Sequence, residues 1–566
     1  MQDEEPTPKK KRRTWRKLWL ALRTIGLVAF LPVVFAAVAA VLMIGKDVDA
    51  PGWLTSRIET RAAQMMQGGS VSFGNIYLNI GRDLHPRVRL EDTVLRDANG
   101  VQIARVPSVE GGISPRGVLF EGSVLMQDIE LNGAQITLTR AADGSVDLAF
   151  GGDNRVDTAP SLTALMDQSD QVFERPALAA LETVTATNLV VNYTDVRAGR
   201  SWTVDGGTIR LDLRADQTAL RGDFNVLSGG AEITRLTLSY DSPRGSRAAN
   251  MAVTIDNARA ADIATQSHAL RFLAEVDAPI TASLRSRLDE DGALGPLSAT
   301  LELGKGALQP NAATEPVLFD EAKAYLTYDP SSHLINFDHI ELDTPSGTMA
   351  ATGRAYLRDM VEGVPQALVA QFSVPNAQLA AGGLYPDGLS LPATSVDFRL
   401  KFKPFSVEVG QIALVDGETH VIASGRAAAT VDGWDVAVDA DVAQITPARL
   451  VALWPETMKP KSRAWLDANV SAGILRDVTF NVRATQGAPA VTAIRFGFSD
   501  ATAKFMRTMP DMIGASGVGY VQDHKMYISL DHGEVPASEG GRVDLTGTSM
   551  TILDTRIKGG DAKVEL

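Results

Sequence analysis

The commonest pattern along this chain is an alternation of apolar and polar residues with a period of two. From 396 to 403, apolar side chains occupy the even positions and charged side chains occupy the odd ones. The same alternation runs from 434 to 442 and, more briefly, around 209–214 and 87–91. It is typical of strands with one apolar and one solvated face. The pattern therefore predicts a mainly β protein.

Turn signals and a few helical stretches complete the predicted elements. Asn-Gly and Asp-Gly pairs accept the positive φ angles that tight hairpins need, which predicts an antiparallel meander. Helical interruptions are expected near 161–184, 258–274 and 446–470, where Pro447 follows Thr446 as a first-turn proline follows a cap. The Asn or Asp of each turn pair is Asn99, Asn132, Asp143, Asp205, Asp291, Asp387, Asp416 or Asp432.

A single long apolar stretch lies near the N-terminus. Residues 25–45 carry no charged side chain, and 21 residues at about 1.5 Å each span about 31 Å, enough for a membrane helix. Eight basic residues precede it within 1–24, so the positive-inside rule predicts a cytoplasmic tail there and an exported body. The alternative is a cleaved signal peptide ending at Ala37-Val38-Ala39, but the apolar run continues beyond that site.

The segment 46–70 is expected to be a juxtamembrane amphipathic helix. Leu54, Ile58, Ala62 and Met65 recur at spacings of three and four within Trp53–Gln67. Two interpretations of this helix remain open: a stem that packs beside the membrane, or a ramp by which lipid enters the body.

Composition removes several classes of function. There are no cysteines and seven histidines in 566 residues, and the chain has a net charge of −14, with the acidic excess beyond residue 24. An acidic body repels phosphate backbones, so nucleic acid is not an expected partner. The sequence contains no H-E-x-x-H, no phosphate-loop motif and no G-x-S-x-G. We therefore expect no enzyme activity, no cofactor and no metal site.

Alternating strands over hundreds of residues produce a sheet whose apolar face must be covered. That face can pack on a second sheet, close into a barrel, or curl around something apolar that is not protein. The pattern alone does not choose among these three.

Four segments in order resemble the AsmA-like envelope proteins, in particular their YhdP-type branch. The most specific one has Leu453-Trp454-Pro455 followed by Arg463-Ala464-Trp465-Leu466, Asn469-Val470 and Gly473, which looks like a "WP…R.W...N...G" element of that branch. The other three are Ile103–Leu148, Ala278–Gly306 and Phe496–Gly519.

This resemblance implies an architecture and a place. It implies a bacterial inner-membrane protein with one N-terminal helix, a cytoplasmic N-terminus and, over 71–566, a long twisted antiparallel β-sheet curled into an apolar periplasmic trough. YhdP-type proteins are usually longer, and this sequence stops at Leu566 in the middle of a strand pattern, so we expect it to be a short member or a truncated one.

The same resemblance implies a non-enzymatic function in which the trough shields phospholipid acyl chains on their way to the outer membrane. Outer-membrane or other envelope proteins are further expected partners. The alternative is a scaffold or assembly factor for outer-membrane proteins, as in the related TamB-type branch. A secreted polysaccharide enzyme is a third option, but no paired carboxylates with suitable spacing are evident.

Candidate site residues follow from the alternation. We expect a lipid groove formed by the inward apolar residues of two strands. Trp454 and Trp465 form either a helical plug packed on the sheet or a lid over the groove. The groove candidates are Val396, Phe398, Leu400, Phe402, Trp434, Val436, Val438 and Val442.

Overall fold

The computed structural model describes most of the chain beyond residue 43. Its described residues are 19, scattered positions between 23 and 41, 44–53, 55, 56, 58, 60, and 70–565 with gaps. The gaps are 82–84, 97–101, 115, 118–124, 141–145, 149–179, 197, 230–231, 267, 292, 362–363, 381–384, 386–387, 457–458, 505–508, 538 and 556–561.

The described residues divide into two compact units. Unit 1 comprises 1–231 with 238–247, and unit 2 comprises 232–237 with 248–566. Both are built mainly of strands, as the period-two pattern predicts.

The strands of unit 1 form a mixed sheet in which β4 pairs with β3, β2 and β5, and β10 lies between β9 and β11. Residues of β12 divide between the two units. The strands are β1 (Val48–Asp49), β2 (Ser70–Ser72), β3 (Asn75–Ile80), β4 (Pro86–Arg96), β5 (Gln102–Ile113), β6 (Met126–Asn132), β7 (Gln135–Arg140), β8 (Val146–Leu148), β9 (Thr183–Asp195), β10 (Arg200–Leu213), β11 (Gln217–Leu227) and β12 (Ile233–Pro243).

The prediction of a purely antiparallel sheet is wrong at β9. This strand runs parallel to both β6 and β7, which follow one another in line. Parallel neighbours need a long connection, and the chain between Leu148 and Thr183 provides one. The helix predicted at 161–184 lies mostly outside the described residues, and its last two positions are already strand.

Unit 2 contains a long antiparallel meander and a separate sheet of three short strands, β14, β17 and β18. The strands are β13 (Ala249–Arg259), β14 (Val276–Asp277), β15 (Pro279–Leu288), β16 (Leu297–Leu303), β17 (Gly306–Leu308), β18 (Val317–Phe319), β19 (Glu321–Asp329), β20 (Leu334–Thr344), β21 (Gly347–Arg358), β22 (Ala367–Leu379), β23 (Leu389–Leu391), β24 (Thr394–Lys401), β25 (Ser406–Asp416), β26 (Thr419–Thr430), β27 (Gly433–Ile445), β28 (Val470–Thr485), β29 (Val491–Ala503), β30 (Met512–Gln522), β31 (Lys525–Pro536), β32 (Arg542–Asp544), β33 (Ser549–Ile552) and β34 (Ala562–Glu565).

Short helices interrupt this meander where the sequence predicts them. They are α1 (Ala260–Ala264), a 3₁₀ helix (His268–Glu275), α2 (Pro447–Leu453) and α3 (Pro460–Asn469). The Thr446 hydroxyl caps α2 by accepting a bond from the Arg449 amide at 3.3 Å.

The turn prediction holds at Asp416 and Asp432. Asp416 directly precedes the two-residue connection of the β25–β26 hairpin, and Asp432 lies within the two-residue connection of the β26–β27 hairpin. It is wrong at Asp205, because Gly206 (φ 71°) lies inside β10 where the pairing register shifts. A positive-φ glycine in a strand produces a bulge as readily as a turn.

The N-terminal predictions fall mainly on positions outside the described residues. This applies to the tail 1–24 and to most of the apolar segment 25–45. No helix among the described residues combines the length and apolar character needed to cross a bilayer. The helix expected over 46–70 begins later, because Val48–Asp49 pairs with β3, and the described positions from Gly52 to Thr60 are helical.

Candidate functional site: the apolar face of unit 2

Residues that pair directly across the long meander of unit 2 form a continuous apolar row. Directly paired residues point to the same face of a sheet, so the register identifies the members. The row crosses sixteen strands from β13 to β33 without a polar residue. Its members are Val253, Leu284, Ala299, Leu326, Phe337, Gly353, Phe372, Val396, Ile412, Ala423, Ala440, Phe480, Ile494, Val521, Met526 and Ile552.

The opposite face is polar at the same level of the sheet. One position away from the apolar row, paired residues from β15 to β25 are Arg285, Ser298, Thr327, Asn336, Arg354, Gln371, Asp397 and Gln411.

The apolar row is only partly shielded from solvent. Ala299 is buried, whereas the other members all retain partial exposure. A face covered by a second packed layer would have its central residues buried. The apolar face of unit 2 therefore carries apolar surface that protein does not fully cover.

Three phenylalanine rings lie side by side within this face. Phe372 meets Phe337 edge-on at 5.4 Å and Phe398 at 5.7 Å between ring centroids. Gly353 lies in the row between Phe337 and Phe372, and a Cβ there would approach the Phe372 ring to 2.4 Å. The glycine allows the rings to lie close across β21.

The structure brings most of the predicted groove residues together. Val396, Phe398 and Leu400 share the apolar face of β24, and their cross-strand partners lead to Val438 and Val436 on β27. Val442 and Trp434 lie on the same face of β27 by alternation. Phe402 lies just beyond the end of β24 and stacks on Phe272 of the 3₁₀ helix at 5.2 Å.

A strap, defined here as residues 306–319, connects the start of β19 with the start of β27. It consists of β17, β18 and their connecting loop, and it joins the sheet between β16 and β19. Its loop bonds to the distant start of β27, where the Trp434 indole nitrogen donates to the Glu315 carbonyl oxygen at 2.8 Å. Asn311 donates to the Thr430 carbonyl oxygen at 3.1 Å.

The strap contacts require the sheet to bend. Seven inter-strand spacings separate β19 from β27, roughly 34 Å in a flat sheet. The six residue steps from Glu315 to Glu321, the first residue of β19, extend at most about 22 Å. Because Trp434 points to the apolar face, unit 2 bends towards that face between β19 and β27.

The two tryptophans of the predicted lid have different environments. Trp454 follows α2, and its carbonyl oxygen accepts a bond from the Arg463 guanidinium at 3.0 Å. Trp465 lies on α3 with 40% of its surface exposed and lines a cavity of about 250 Å³. Trp465 is thus placed over an apolar space, whereas Trp454 does not line this cavity.

This methionine-lined cavity lies between α3 and strands β28–β34. Its walls include Met509, Met512, Met526 and Met550, with Phe496 and Phe498 behind them. Sequence reasoning missed it and the strap, although the four methionines are an unusual concentration in the last sixty residues of a chain with fifteen.

Polar chemistry is sparse in the part of the chain that the structure describes. No three His, Asp or Glu side chains there are grouped closely enough to hold a metal ion. His339 bonds to Glu341 at 2.9 Å on an exposed strand. Burial raises the pKa of Glu275, and the charge of Lys403 partly opposes this.

Comparison of the chain with protein-family models, with curated proteins and with solved structures finds no match.

Proposed function

We propose that the apolar face of unit 2 carries phospholipid acyl chains, as a non-enzymatic conduit in the bacterial periplasm. The observation that carries this proposal is the apolar row, sixteen strands wide and partly exposed. Exposed methylenes cost about 0.8 kcal/mol each in water, so a continuous apolar surface lowers the barrier for lipid that crosses an aqueous gap. Headgroups remain solvated at the open side.

The proposal includes the wider architecture expected from the sequence. The segment 25–45 anchors the chain in the inner membrane, and the β body forms a trough of the AsmA-like, YhdP-type kind. The bend beneath the strap supports a concave apolar face. The sixteen strands of the apolar row are separated by fifteen spacings of about 4.8 Å, so unit 2 alone would offer a path of roughly 72 Å.

The decisive experiment places charges in the middle of the face. In the detergent-purified full chain, a photocrosslinking residue at Val438 reports bound lipid by mass spectrometry. Phe398→Asp with Leu400→Arg is expected to remove most of the crosslinked phospholipid, because acyl chains do not pack against charges.

The matched control changes the other face of the same strand, with Ser395→Asp and Asp397→Arg, and is expected to retain lipid. Undiminished crosslinking in the folded Phe398–Leu400 variant contradicts the proposal. Capture of unfolded outer-membrane proteins in place of lipid would favour the TamB-type scaffold.

A further inference from the structure

The methionine-lined cavity is large enough for a ligand. Its volume of about 250 Å³ exceeds the ~150 Å³ of an engineered apolar cavity that binds benzene. It joins the apolar face directly, because Met526 belongs both to the apolar row and to the cavity wall.

Beside the cavity, one strand carries glycine at two successive inward-facing positions. On β30, Gly519 pairs with Phe496 on one side and Ile528 on the other, and Gly517 pairs with Phe498. A Cβ on Gly519 would lie 2.6 Å from the Phe496 ring, so this ring extends over the bare strand. The ring that covers Gly519 is itself part of the cavity wall.

The lining of the cavity favours a hydrocarbon ligand. All lining residues are apolar except Thr548 and Ser549. Among the described residues, no buried side-chain polar atom lacking a partner belongs to the lining. A polar ligand group inside would lose its hydration without gaining bonds, which is costly. The unbranched, polarisable methionines adapt to a flexible apolar ligand.

The lining is spread along the sheet. Lining residues lie on strands from β28 to β34, over five strand spacings or roughly 24 Å measured along the sheet. A flexible alkyl chain can follow a lining that is spread over neighbouring strands.

The opening lies beneath a lightly held helix. Three large apolar lining residues remain exposed: Trp465 (40%), Met509 (43%) and Val564 (44%). Helix α3, which carries Trp465, has no buried residue and no side-chain cap at its N-terminus. Such an element can move at little energetic cost.

We propose that the methionine-lined cavity holds one unbranched alkyl chain of a lipid, with α3 and Trp465 as its cover. The inference rests on the proposed function, since the apolar row delivers the chain. It adds a holding site for a single chain, whereas the row offers an open path. The polar end of the lipid remains outside the opening.

The test uses the full chain in detergent with a dibrominated stearic acid as the probe. Bromine quenches the fluorescence of a nearby indole. The part of the quenching that disappears in the Trp465→Phe variant therefore reports the probe bound at the cavity. We expect saturable quenching of Trp465 with one probe per protein. Absence of Trp465 quenching overturns the inference, and equal quenching by a brominated sterol overturns the assignment to an unbranched chain.

A glycine substitution tests the cavity itself. Gly519→Ala forces the Phe496 ring into the cavity and is expected to weaken probe binding at least fivefold. Gly497→Ala is the control, because a Cβ there meets only ordinary contacts at 3.5 Å and beyond. If Gly519→Ala does not fold, Val564→Asp at the exposed rim replaces it with the same expected loss. Unweakened binding in the folded variant overturns the inference.

Failure here is distinguishable from failure of the proposed function. Lipid crosslinking at Val438 reports the open row and is expected to persist in Gly519→Ala. Crosslinking at Val438 without quenching at Trp465 refutes the holding site alone, whereas loss of both signals in the unmodified chain refutes both proposals.

Discussion

The indole nitrogen of Trp434 donates a 2.8 Å hydrogen bond to the carbonyl oxygen of Glu315, which lies 119 positions earlier in the chain. The Gln486 side chain adds two bonds to the same loop. Its oxygen accepts from the Glu315 amide at 3.0 Å, and its nitrogen donates to the Ala313 carbonyl oxygen at 3.0 Å. Side-chain hydrogen bonds therefore hold the strap to the start of β27 and the end of β28, with which it forms no β ladder.

Removal of the Gln486 amide should release the strap. Each hydrogen bond contributes about 1 kcal/mol net, so Gln486→Ala should destabilise residues 306–319 locally by about 2 kcal/mol. Hydrogen exchange of the strap amides should then accelerate by about 30-fold. Gln378→Ala is the control, because that amide bonds only to an exposed serine hydroxyl. Unchanged hydrogen exchange of the strap amides in Gln486→Ala would show that the Gln486 bonds do not hold the strap.

The ring series on the apolar face should stabilise unit 2. Phe372→Ala removes two ring contacts and should lower the free energy of unfolding by about 2 kcal/mol, less than for a fully buried ring because Phe372 is partly exposed. Gln371→Ala, one residue away on the exposed face, should change it by less than about 0.5 kcal/mol. Chemical denaturation of the full chain measures both, and equal effects would contradict the assignment of faces.

Glu275 should make unit 2 less stable as the pH rises. Burial raises its pKa above the usual 4.5, so the folded state holds the proton more tightly than the unfolded chain. This stability is complete below the usual pKa and is lost as the pH rises through the raised value. Glu275→Gln should therefore increase stability at pH 7 and flatten the dependence, measured by thermal unfolding against pH.

Glu408 provides a control of opposite sign. The Lys401 ammonium bonds to it and lowers its pKa, so its contribution is present above the usual pKa and is lost on acidification. Glu408→Gln should slightly decrease stability at pH 7. The same direction of change in both variants would contradict the electrostatic explanation.

In unit 1, Asp195 should be sensitive to loss of charge. Its side chain is fully buried, 3.5 Å from the Arg140 guanidinium, and accepts a 2.9 Å bond from the Ala198 amide. Asp195→Asn leaves a largely buried cation without its partner and should cost about 3 kcal/mol. Asp241→Asn is the control, because its pair with Arg221 is more exposed and should contribute at most about 1 kcal/mol. Chemical denaturation measures the loss of unfolding free energy in each variant. Equal losses in Asp195→Asn and Asp241→Asn would contradict the role assigned to burial.

Local pattern was sufficient for several features of this fold. The alternation at 396–402 and 434–442 correctly assigned the face of every strand candidate from Val396 to Val442, because side chains on a strand alternate whatever their partners. The cap residue Thr446 and the proline that follows it located the start of α2 for a similar reason, since helix ends depend on neighbouring residues.

Features that depend on distant partners could not be predicted in this way. The parallel pairing of β9 with β6 and β7 depends on a crossover whose destination no local pattern encodes. The Gly206 bulge and the hairpin glycine at Gly417 carry similar signals and differ only in what pairs beside them.

The sequence by itself determined that the chain forms strands and which side chains share a face, because both follow from the two-residue period of the backbone. Only the tertiary structure decided that Glu315 meets Trp434, and that Phe496, whose ring lies over Gly519, lines one cavity together with Trp465. Those relationships depend on the pairing register and on the curvature that accumulates over many strands. A short segment of sequence specifies neither of these.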